Sequence, residues 1–151
     1  MADRTTSRIE ITAEPGAVLD VIASFEEYPE WAGQVKRAVV LSEDGDGWAD
    51  QVEYDLDAGA IRDNYVLEYD WDGIEEDGSG SVSWRLVRAI QLKALNGTYT
   101  LHARGEVTEV LYELEVDVKI PLIGALKRKA EKIITDTALK ELKRRVEAYS
   151  S

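Results

Sequence analysis

The chain has 151 residues, of which 44% are hydrophobic and 32% are charged, and it contains no cysteine, so we expect one globular domain over residues 1–151 and exclude disulfides and thiolate metal sites. The formal charge of -12 argues against nucleic-acid binding, because most of the surface would repel phosphate groups. The N-terminal segment has no apolar run of signal-peptide or membrane-span length, which predicts a cytoplasmic protein without an integral membrane segment.

The first 25 residues predict a strand followed by a helix. In residues 4–13 apolar and polar side chains alternate, the pattern of a half-buried strand. Pro15 then opens a segment in which apolar residues recur every three or four positions, which predicts an amphipathic helix. The apolar residues of this predicted helix are Val18, Leu19, Ile22 and Phe25.

The sequence EEYPEW, residues 26–31, places two large aromatic side chains on either side of a proline. Pro29 suits the first turn of a second short helix, so Tyr28 and Trp31 flank a bend between two helices. Such rings are able to plug the open end of a half-filled core or to control ligand entry. The plug is the simpler interpretation, because packing alone accounts for both side chains.

Residues 35–120 alternate between apolar and polar side chains in six runs, namely VKRAVVL, WADQVEYDLD, AIRDNYVLEYDWD, SVSWRLVR, TYTLHA and EVTEVLYELEVDVKI. Glycine-containing breaks separate the runs, including Leu95-Asn96-Gly97 before TYTLHA. Breaks of this kind predict hairpin turns and therefore an antiparallel meander. In the last run the two alternating sets are apolar and mainly charged, so one face of the sheet is exposed to solvent.

The C-terminal segment, residues 121–151, predicts one long amphipathic helix. It begins with a proline, contains no other, and its apolar residues recur at helical spacing. At about 1.5 Å per residue the helix would be roughly 40 Å long, enough to cross the sheet and cover its apolar face. The predicted apolar stripe comprises Leu122, Leu126, Ala130, Ile133, Ile134, Thr137, Ala138, Leu142 and Val146.

The order of these elements resembles the helix-grip fold of the START and birch-pollen-allergen-like (SRPBCC) superfamily. More narrowly, the chain resembles the polyketide cyclase/dehydrase and lipid-transport family. The resemblance rests on YPEW, VSWRLV, LNGTYTL and the segment 120–147, and it covers nearly the whole chain. It implies an α+β fold in which a curved antiparallel sheet of about seven strands wraps around the long C-terminal helix and leaves a hydrophobic cavity. It does not imply one activity, because members include aromatase/cyclases, lipid and quinone carriers and hormone receptors.

Alternation along the strands predicts which side chains would face such a cavity. Tyrosine and tryptophan are prominent among them, and these rings stack on a flat ligand while their polar atoms form hydrogen bonds to it. Ordinary core packing is the alternative for each ring. Together with the bend and the helix, the candidate ligand-binding residues are Trp31, Tyr54, Asp63, Tyr65, Tyr69, Trp84, Tyr99, Tyr112, Ile134 and Thr137. The expected ligand is a small hydrophobic molecule of lipid-like, quinone or polyketide-like character.

Asp63 is the unusual member of this set, because an isolated buried carboxylate costs several kcal/mol unless it is paired or protonated. It is a candidate for a ligand hydrogen bond or for general acid/base catalysis, and the alternative is a solvated position near a hairpin end. An enzyme of the cyclase or dehydratase type, acting through Tyr65, Tyr69, Trp84 and Asp63, is therefore the alternative to a carrier.

Other catalytic or metal-binding arrangements find little support in the sequence. Alternation along its strand places the single histidine, His102, on the face of the sheet opposite to the predicted cavity, so no catalytic triad is expected. The acidic turn SEDGDGWAD departs from a calcium loop in its glycine and in its twelfth position, and we expect neither a metal nor a cofactor. Family cyclases hold a polyketide chain with Arg, Tyr and Ser contacts, whereas Arg62 and Arg85 take the solvent parity here, which weakens the cyclase interpretation.

The charge distribution along the chain gives a third hypothesis. Residues 121–151 hold 8 of the 18 Lys and Arg residues and 4 of the 30 Asp and Glu residues, so they carry +4 while residues 1–120 carry -16. A basic helix on an acidic body is able to contact an acidic partner or, transiently, a membrane surface. The simpler interpretation is that this charge balances the acidic sheet or is solvated.

Overall fold

A computed structural model describes residues 3–57, 62–119 and 124–150, and within these it describes the side chains of residues 5–57, 62–119 and 134–148. The elements in chain order are β1 (Asp3–Ile11), α1 (Pro15–Ala23), a 3-10 turn (Phe25–Glu27), α2 (Tyr28–Trp31), β2 (Val35–Glu43), β3 (Ala49–Asp57), β4 (Arg62–Ile74), β5 (Gly80–Ala89), β6 (Leu92–Arg104), β7 (Val107–Val118) and α3 (Gly124–Ser150).

The seven strands form one antiparallel sheet in the order β1-β7-β6-β5-β4-β3-β2. The strands β2 to β7 are a meander, because each pairs with the next along the chain, and β1 closes the sheet by pairing with β7. With α3 at the C-terminal end, this architecture confirms the predicted helix-grip fold of the α+β class.

Pro15 and Pro29 act where the sequence predicts. Pro15 occupies the first turn of α1, whose buried side chains include Val18 and Ile22. Pro29 occupies the first turn of α2, a single helical turn. Because proline lacks the N–H that this turn leaves unpaired, both positions start a helix without losing a hydrogen bond.

The connection between β5 and β6 differs from the prediction. The turn lies at Ile90 and Gln91, and Asn96 lies inside β6. The Asn96 side chain accepts a hydrogen bond from the Leu86 N–H (2.8 Å) and donates one to the Glu115 carboxylate (2.8 Å). The predicted turn at Leu95-Asn96-Gly97 is therefore wrong, because contacts across three strands outweigh the local turn preference of the Asn-Gly pair.

Gly97 is required by ring packing and not by a turn. It stands opposite Trp84 in the β5–β6 register. A Cβ atom at Gly97 would lie 2.5 Å from the Trp84 indole and 2.7 Å from the Glu113 carbonyl oxygen. The missing side chain thus gives the indole a place directly against the β6 backbone, where any larger residue would collide with it.

The core lies between the concave face of the sheet and the helices α1 and α3. The strand residues predicted for the apolar face are buried or half-buried there wherever the structure describes them. On α3 the buried side chains include Ile134, Leu139, Leu142 and Val146. Alternation along the strands also assigns Ile61 and Ile120 to the apolar face. These two residues, and Leu122, Leu126, Ala130 and Ile133 of the predicted helix stripe, lie outside the described residues or side chains.

The convex face of the sheet carries cross-strand ion pairs, as the alternation predicts. Arg85 contacts Glu68 at 2.7 Å, and Glu53 contacts both Arg37 (3.3 Å) and Arg88 (3.0 Å). Val66 lies between Glu53 and Arg88 in the register and is only 1% exposed. The long charged side chains therefore shield a valine on the solvent side of the sheet.

Candidate ligand-binding cavity

A cavity of about 100 Å³ lies between the concave face of the sheet, α2 and α3. Its lining comprises Tyr28, Trp31, Ala32, Gln34, Val35, Tyr54, Leu56, Tyr65, Leu67, Tyr69, Trp84, Leu95, Tyr99, Tyr112, Ile134, Thr137, Ala138 and Glu141. Nine of the ten candidate residues from the sequence are among them, and Asp63 is not. The structure thus brings these nine side chains together, while their role in ligand binding stays a prediction.

Rings on β5, β6 and β7 form one wall of this cavity. The ring centroids of Tyr99 and Tyr112 are 4.6 Å apart, and that of Trp84 lies 5.1 Å from Tyr99 and 5.7 Å from Tyr112. Their planes are tilted or perpendicular to one another, the arrangement in which the positive edge of one ring meets the negative face of the next.

A second wall is built by β3, β4 and the bend before β2. Tyr54 stacks on Tyr65 with centroids 5.2 Å apart. The Tyr54 and Tyr69 hydroxyls form a hydrogen bond with each other, and the Tyr28 hydroxyl donates one to the Ile22 carbonyl oxygen. The polar atoms of Tyr28, Tyr54 and Tyr69 are therefore satisfied within the protein.

Burial raises the phenol pKa of all six tyrosines that line the cavity, namely Tyr28, Tyr54, Tyr65, Tyr69, Tyr99 and Tyr112. For several of them the neighbouring tyrosines raise the pKa further, because a second phenolate nearby would be repelled. The hydroxyls are therefore protonated at neutral pH and serve as hydrogen-bond donors, and they do not act as bases.

Tyr65 and Tyr112 carry buried hydroxyls that have no partner among the residues that the structure describes. Their side chains are 5% and 6% exposed, and within the described residues neither hydroxyl forms a hydrogen bond, although both residues line the cavity. An unsatisfied buried polar group costs about 1–3 kcal/mol. These two donors are the part of the cavity that is best suited to bind an acceptor atom of a guest molecule.

Asp63 lies near the start of β4, its side chain is directed at the turn between β5 and β6, and it is not among the residues that line the cavity. Its carboxylate accepts hydrogen bonds from the backbone N–H groups of Ile90 (2.9 Å), Gln91 (2.9 Å) and Leu92 (2.8 Å). Asp63 is 8% exposed, so the solvated position is wrong, and three N–H donors hold the buried charge. A ligand contact or an acid/base role of Asp63 stays a prediction, and the direction of its carboxylate does not favour it.

Several lining residues were not predicted from the sequence. Gln34 and Val35 follow α2, and their place depends on how the bend meets the sheet. Glu141 lies on α3 one turn beyond Thr137, so helical spacing from Ile134 could have found it. Its carboxylate accepts a hydrogen bond from the Gly33 N–H (2.8 Å), which ties α3 to the end of α2.

Charged chemistry is sparse around the cavity. Glu141 is the one charged side chain among the described lining residues. Arg62 and Arg85 pair with acids on the convex face, as their parity predicts. In the described part of the chain no group of three or more His, Cys, Asp and Glu side chains could hold a metal ion.

The acidic turn before β3 is organised by its own backbone. The Asp44 carboxylate accepts hydrogen bonds from the N–H groups of Asp46 (2.8 Å) and Trp48 (3.0 Å). An aspartate that bonds the N–H two residues on is a common turn device. The Asp44 carboxylate therefore helps to close the turn between β2 and β3.

Part of the basic C-terminal segment lies outside the described side chains, including Lys127, Arg128, Lys129 and Lys132. Of the rest, Lys143 donates to the Glu10 carbonyl oxygen at 2.6 Å and lies 3.2 Å from Glu147. Arg145 contacts Glu27 at 3.0 Å and Glu30 at 3.5 Å. These two cations serve intramolecular pairing, the simpler interpretation of the basic segment. None of the helices that the structure describes is long and apolar enough to span a membrane.

A family model described as polyketide cyclase / dehydrase and lipid transport matches residues 2–147. The chain belongs to this family. The match spans every element described above except the last turn of α3, and it confirms the resemblance inferred from the sequence. No match was found among curated proteins.

Solved structures share the fold at low sequence identity. A START superfamily protein from Mycobacterium smegmatis has a TM-score of 0.86 and 20% identity over 97% of this chain and 98% of its own. A protein from Thermus thermophilus has a TM-score of 0.80 and 22% identity over 99% and 100% of the two chains. An aromatase/cyclase from a Streptomyces species has a TM-score of 0.77 and 11% identity over 100% and 97%. At such identities the likeness establishes the fold alone.

Proposed function

We propose that the protein binds a small hydrophobic molecule by enclosing a flat, uncharged ring system in the tyrosine-lined cavity, and that it sequesters or carries this molecule. The observation that carries the proposal is the pair of buried hydroxyls of Tyr65 and Tyr112. They have no protein partner among the described residues, and they belong to a cavity lined mainly by aromatic and aliphatic side chains. Apolar walls with a few placed donors are the usual composition of small-molecule sites.

The cavity volume limits what fits. At about 100 Å³ the cavity is smaller than the roughly 300–1,000 Å³ of typical ligand pockets. An engineered cavity of about 150 Å³ in another protein binds benzene. The space between the tyrosines thus suits one ring or one end of a molecule, and a larger ligand requires a wall to move.

The donors and the charge select the chemistry of that ring system. Tyr65 and Tyr112 are protonated at neutral pH, so they favour a carbonyl, hydroxyl or ether oxygen on the guest. The single lining charge, Glu141, is negative, so a carboxylate or phosphate inside the cavity would be desolvated without a cation to pair with it.

A cyclase or dehydratase remains the alternative function, and the geometry gives it less support. Asp63, its proposed acid or base, bonds three backbone N–H groups outside the cavity. The tyrosines have a raised pKa and are poor bases. Glu141, the remaining carboxylate, already accepts a hydrogen bond from Gly33. Proton abstraction from a bound substrate therefore has no evident base among the described lining residues.

Titration with 2-naphthol tests the proposal. This probe is flat and uncharged and carries one oxygen that can accept a hydrogen bond; one of its two rings fits between the tyrosines, and the second requires a wall of the cavity to move. We expect saturable one-to-one binding by calorimetry and by quenching of tryptophan fluorescence, and native mass spectrometry of the purified protein should detect a co-purifying aromatic or lipid-like molecule. Absence of saturable binding, together with protein that carries no guest, would contradict the proposal.

A further inference from the structure

A second space, a groove of about 300 Å³, lies on the other side of Trp31. It is lined by α1, by the turn that follows α1 and by Arg145 of α3, and its polar side chains are Asp20, Ser24, Glu27 and Arg145. Trp31 is the one described residue that lines both the groove and the tyrosine cavity. Its side chain is therefore the wall between them.

The Trp31 side chain is held by packing alone, including packing against the hydrophobic core. The Trp31 ring contacts Tyr28 with centroids 4.8 Å apart, and no hydrogen bond of its side chain is found within the described residues. The single turn of α2 that carries it is fastened to α3 by two exposed contacts, Arg145–Glu30 (3.5 Å) and Gly33–Glu141 (2.8 Å). Moving Trp31 aside thus gives up the ring contact with Tyr28 and half-buried packing against the core, but no hydrogen bond of its side chain among the described residues.

We propose that the groove is the second half of the ligand site, and that a ligand with a flat apolar end and a polar arm binds across both spaces after Trp31 moves aside. This inference rests on the proposed function of the tyrosine cavity. The cavity alone is below the usual size of a ligand pocket, whereas the two spaces joined reach the range of about 300–1,000 Å³.

The charges of the groove define the polar arm. Glu27 and Arg145 pair with each other at 3.0 Å, so their charges largely cancel. Asp20 is exposed on α1, and its carboxylate has no partner among the described residues. The excess charge of the groove is negative, and an arm that ends in an ammonium or another hydrogen-bond donor complements it, whereas a carboxylate arm is repelled.

Three probes with the same ring system test this inference at pH 7: 2-naphthol without an arm, 2-(1-naphthyl)ethylamine with a cationic arm, and 1-naphthylacetate with an anionic arm. We expect the amine to bind the wild-type protein at least ten times more tightly than the acetate. Asp20→Asn should reduce this ratio at least threefold and leave the affinity for 2-naphthol unchanged. Glu106→Gln is the matched control, because Glu106 is exposed in the β6–β7 turn and borders neither space.

A fluorine label reports on the wall itself. In protein labelled with 5-fluorotryptophan, Trp31→Phe assigns the Trp31 resonance, and saturation with the amine should move this resonance towards the value of a solvent-exposed indole. Four results would each overturn the two-part site while 2-naphthol still binds. Three concern the ratio of the amine and acetate affinities: it stays within threefold, Asp20→Asn does not change it, or Glu106→Gln reduces it as much as Asp20→Asn does. The fourth is a Trp31 resonance that the amine does not move. Failure of 2-naphthol to bind would overturn the proposed function and this inference together.

Discussion

Replacing Asp63 by asparagine separates a structural from a catalytic role of this carboxylate. In the folded protein Oδ1 accepts the Ile90 N–H, and Oδ2 accepts those of Gln91 and Leu92. An asparagine keeps at best the two bonds to one oxygen, and it turns an NH₂ group towards the remaining N–H donor. A hydrogen bond to a charged group contributes about 1.5–3 kcal/mol, and an unsatisfied buried donor adds a further penalty.

We therefore expect Asp63→Asn to lower the free energy of unfolding by about 2–4 kcal/mol, a large part of the roughly 5–15 kcal/mol of a typical domain. Urea unfolding followed by circular dichroism measures this change, and an unchanged slope with urea shows that both states keep their compactness. Asp55→Asn is the control, because Asp55 accepts a single bond from the Asn64 side chain (2.7 Å) on the convex face, and it should lose less than about 1 kcal/mol.

Two outcomes would refute this account of Asp63. The first is a stability change below about 1 kcal/mol, which would mean that the three N–H bonds contribute little. The second is a folded, equally stable variant that loses turnover of a substrate while it keeps ligand affinity. The second result would restore the general acid or base role that the sequence suggested.

Three further predictions concern the cavity and the helix contacts. Gly97→Ala should destabilise the protein by about 1–3 kcal/mol, because the added methyl group collides with the Trp84 indole. Thermal unfolding measures this loss, and an unchanged unfolding temperature would show that the Trp84 ring moves aside freely. Tyr112→Phe should weaken 2-naphthol binding about five- to tenfold, as calorimetry measures it, the equivalent of one hydrogen bond. Tyr28→Phe should change this affinity less than threefold, because the Tyr28 hydroxyl already donates to a backbone carbonyl oxygen. Equal losses of affinity in the two variants would contradict the assignment of donors. The Thr12 N–H and then Lys143 hold the pKa of Glu147 below its ordinary 4.5, so the stabilising contribution of Glu147 is full above pH 4.5 and is lost as the pH falls below that value. Glu147→Gln should therefore flatten the acid limb of a curve of stability against pH. An unchanged acid limb would mean that the contact is not formed in solution.

The features that the sequence predicts well depend on periodicity. A strand exposes alternate residues to opposite faces, so the parity of Tyr54, Tyr65 and Tyr112 follows once each strand is recognised. The prolines before α1 and in α2 mark helix starts for reasons local to the backbone. These signals lie within a few neighbouring residues, and they recover the fold and most of the cavity lining.

The errors arise where distant residues decide the local structure. Asn96-Gly97 is a strong turn signal, yet Trp84 needs the space beside Gly97 and Glu115 bonds Asn96. Asp63 is apolar-facing by parity, but its environment depends on a turn 27 residues later in the chain. Cavity volume is equally inaccessible to periodicity, because it depends on how far each ring fills the space between sheet and helix.

The tyrosines themselves separate packing from binding. Tyr28, Tyr54 and Tyr69 place their hydroxyls on a protein acceptor or on each other, so their polar atoms serve the fold. At Tyr65 and Tyr112 a phenylalanine would fill nearly the same volume, so packing alone does not explain these two hydroxyls. Neither hydroxyl has a protein acceptor among the described residues. Under the proposed function an acceptor atom of the guest meets them, and this contact is the interaction that distinguishes the filled cavity from the empty one.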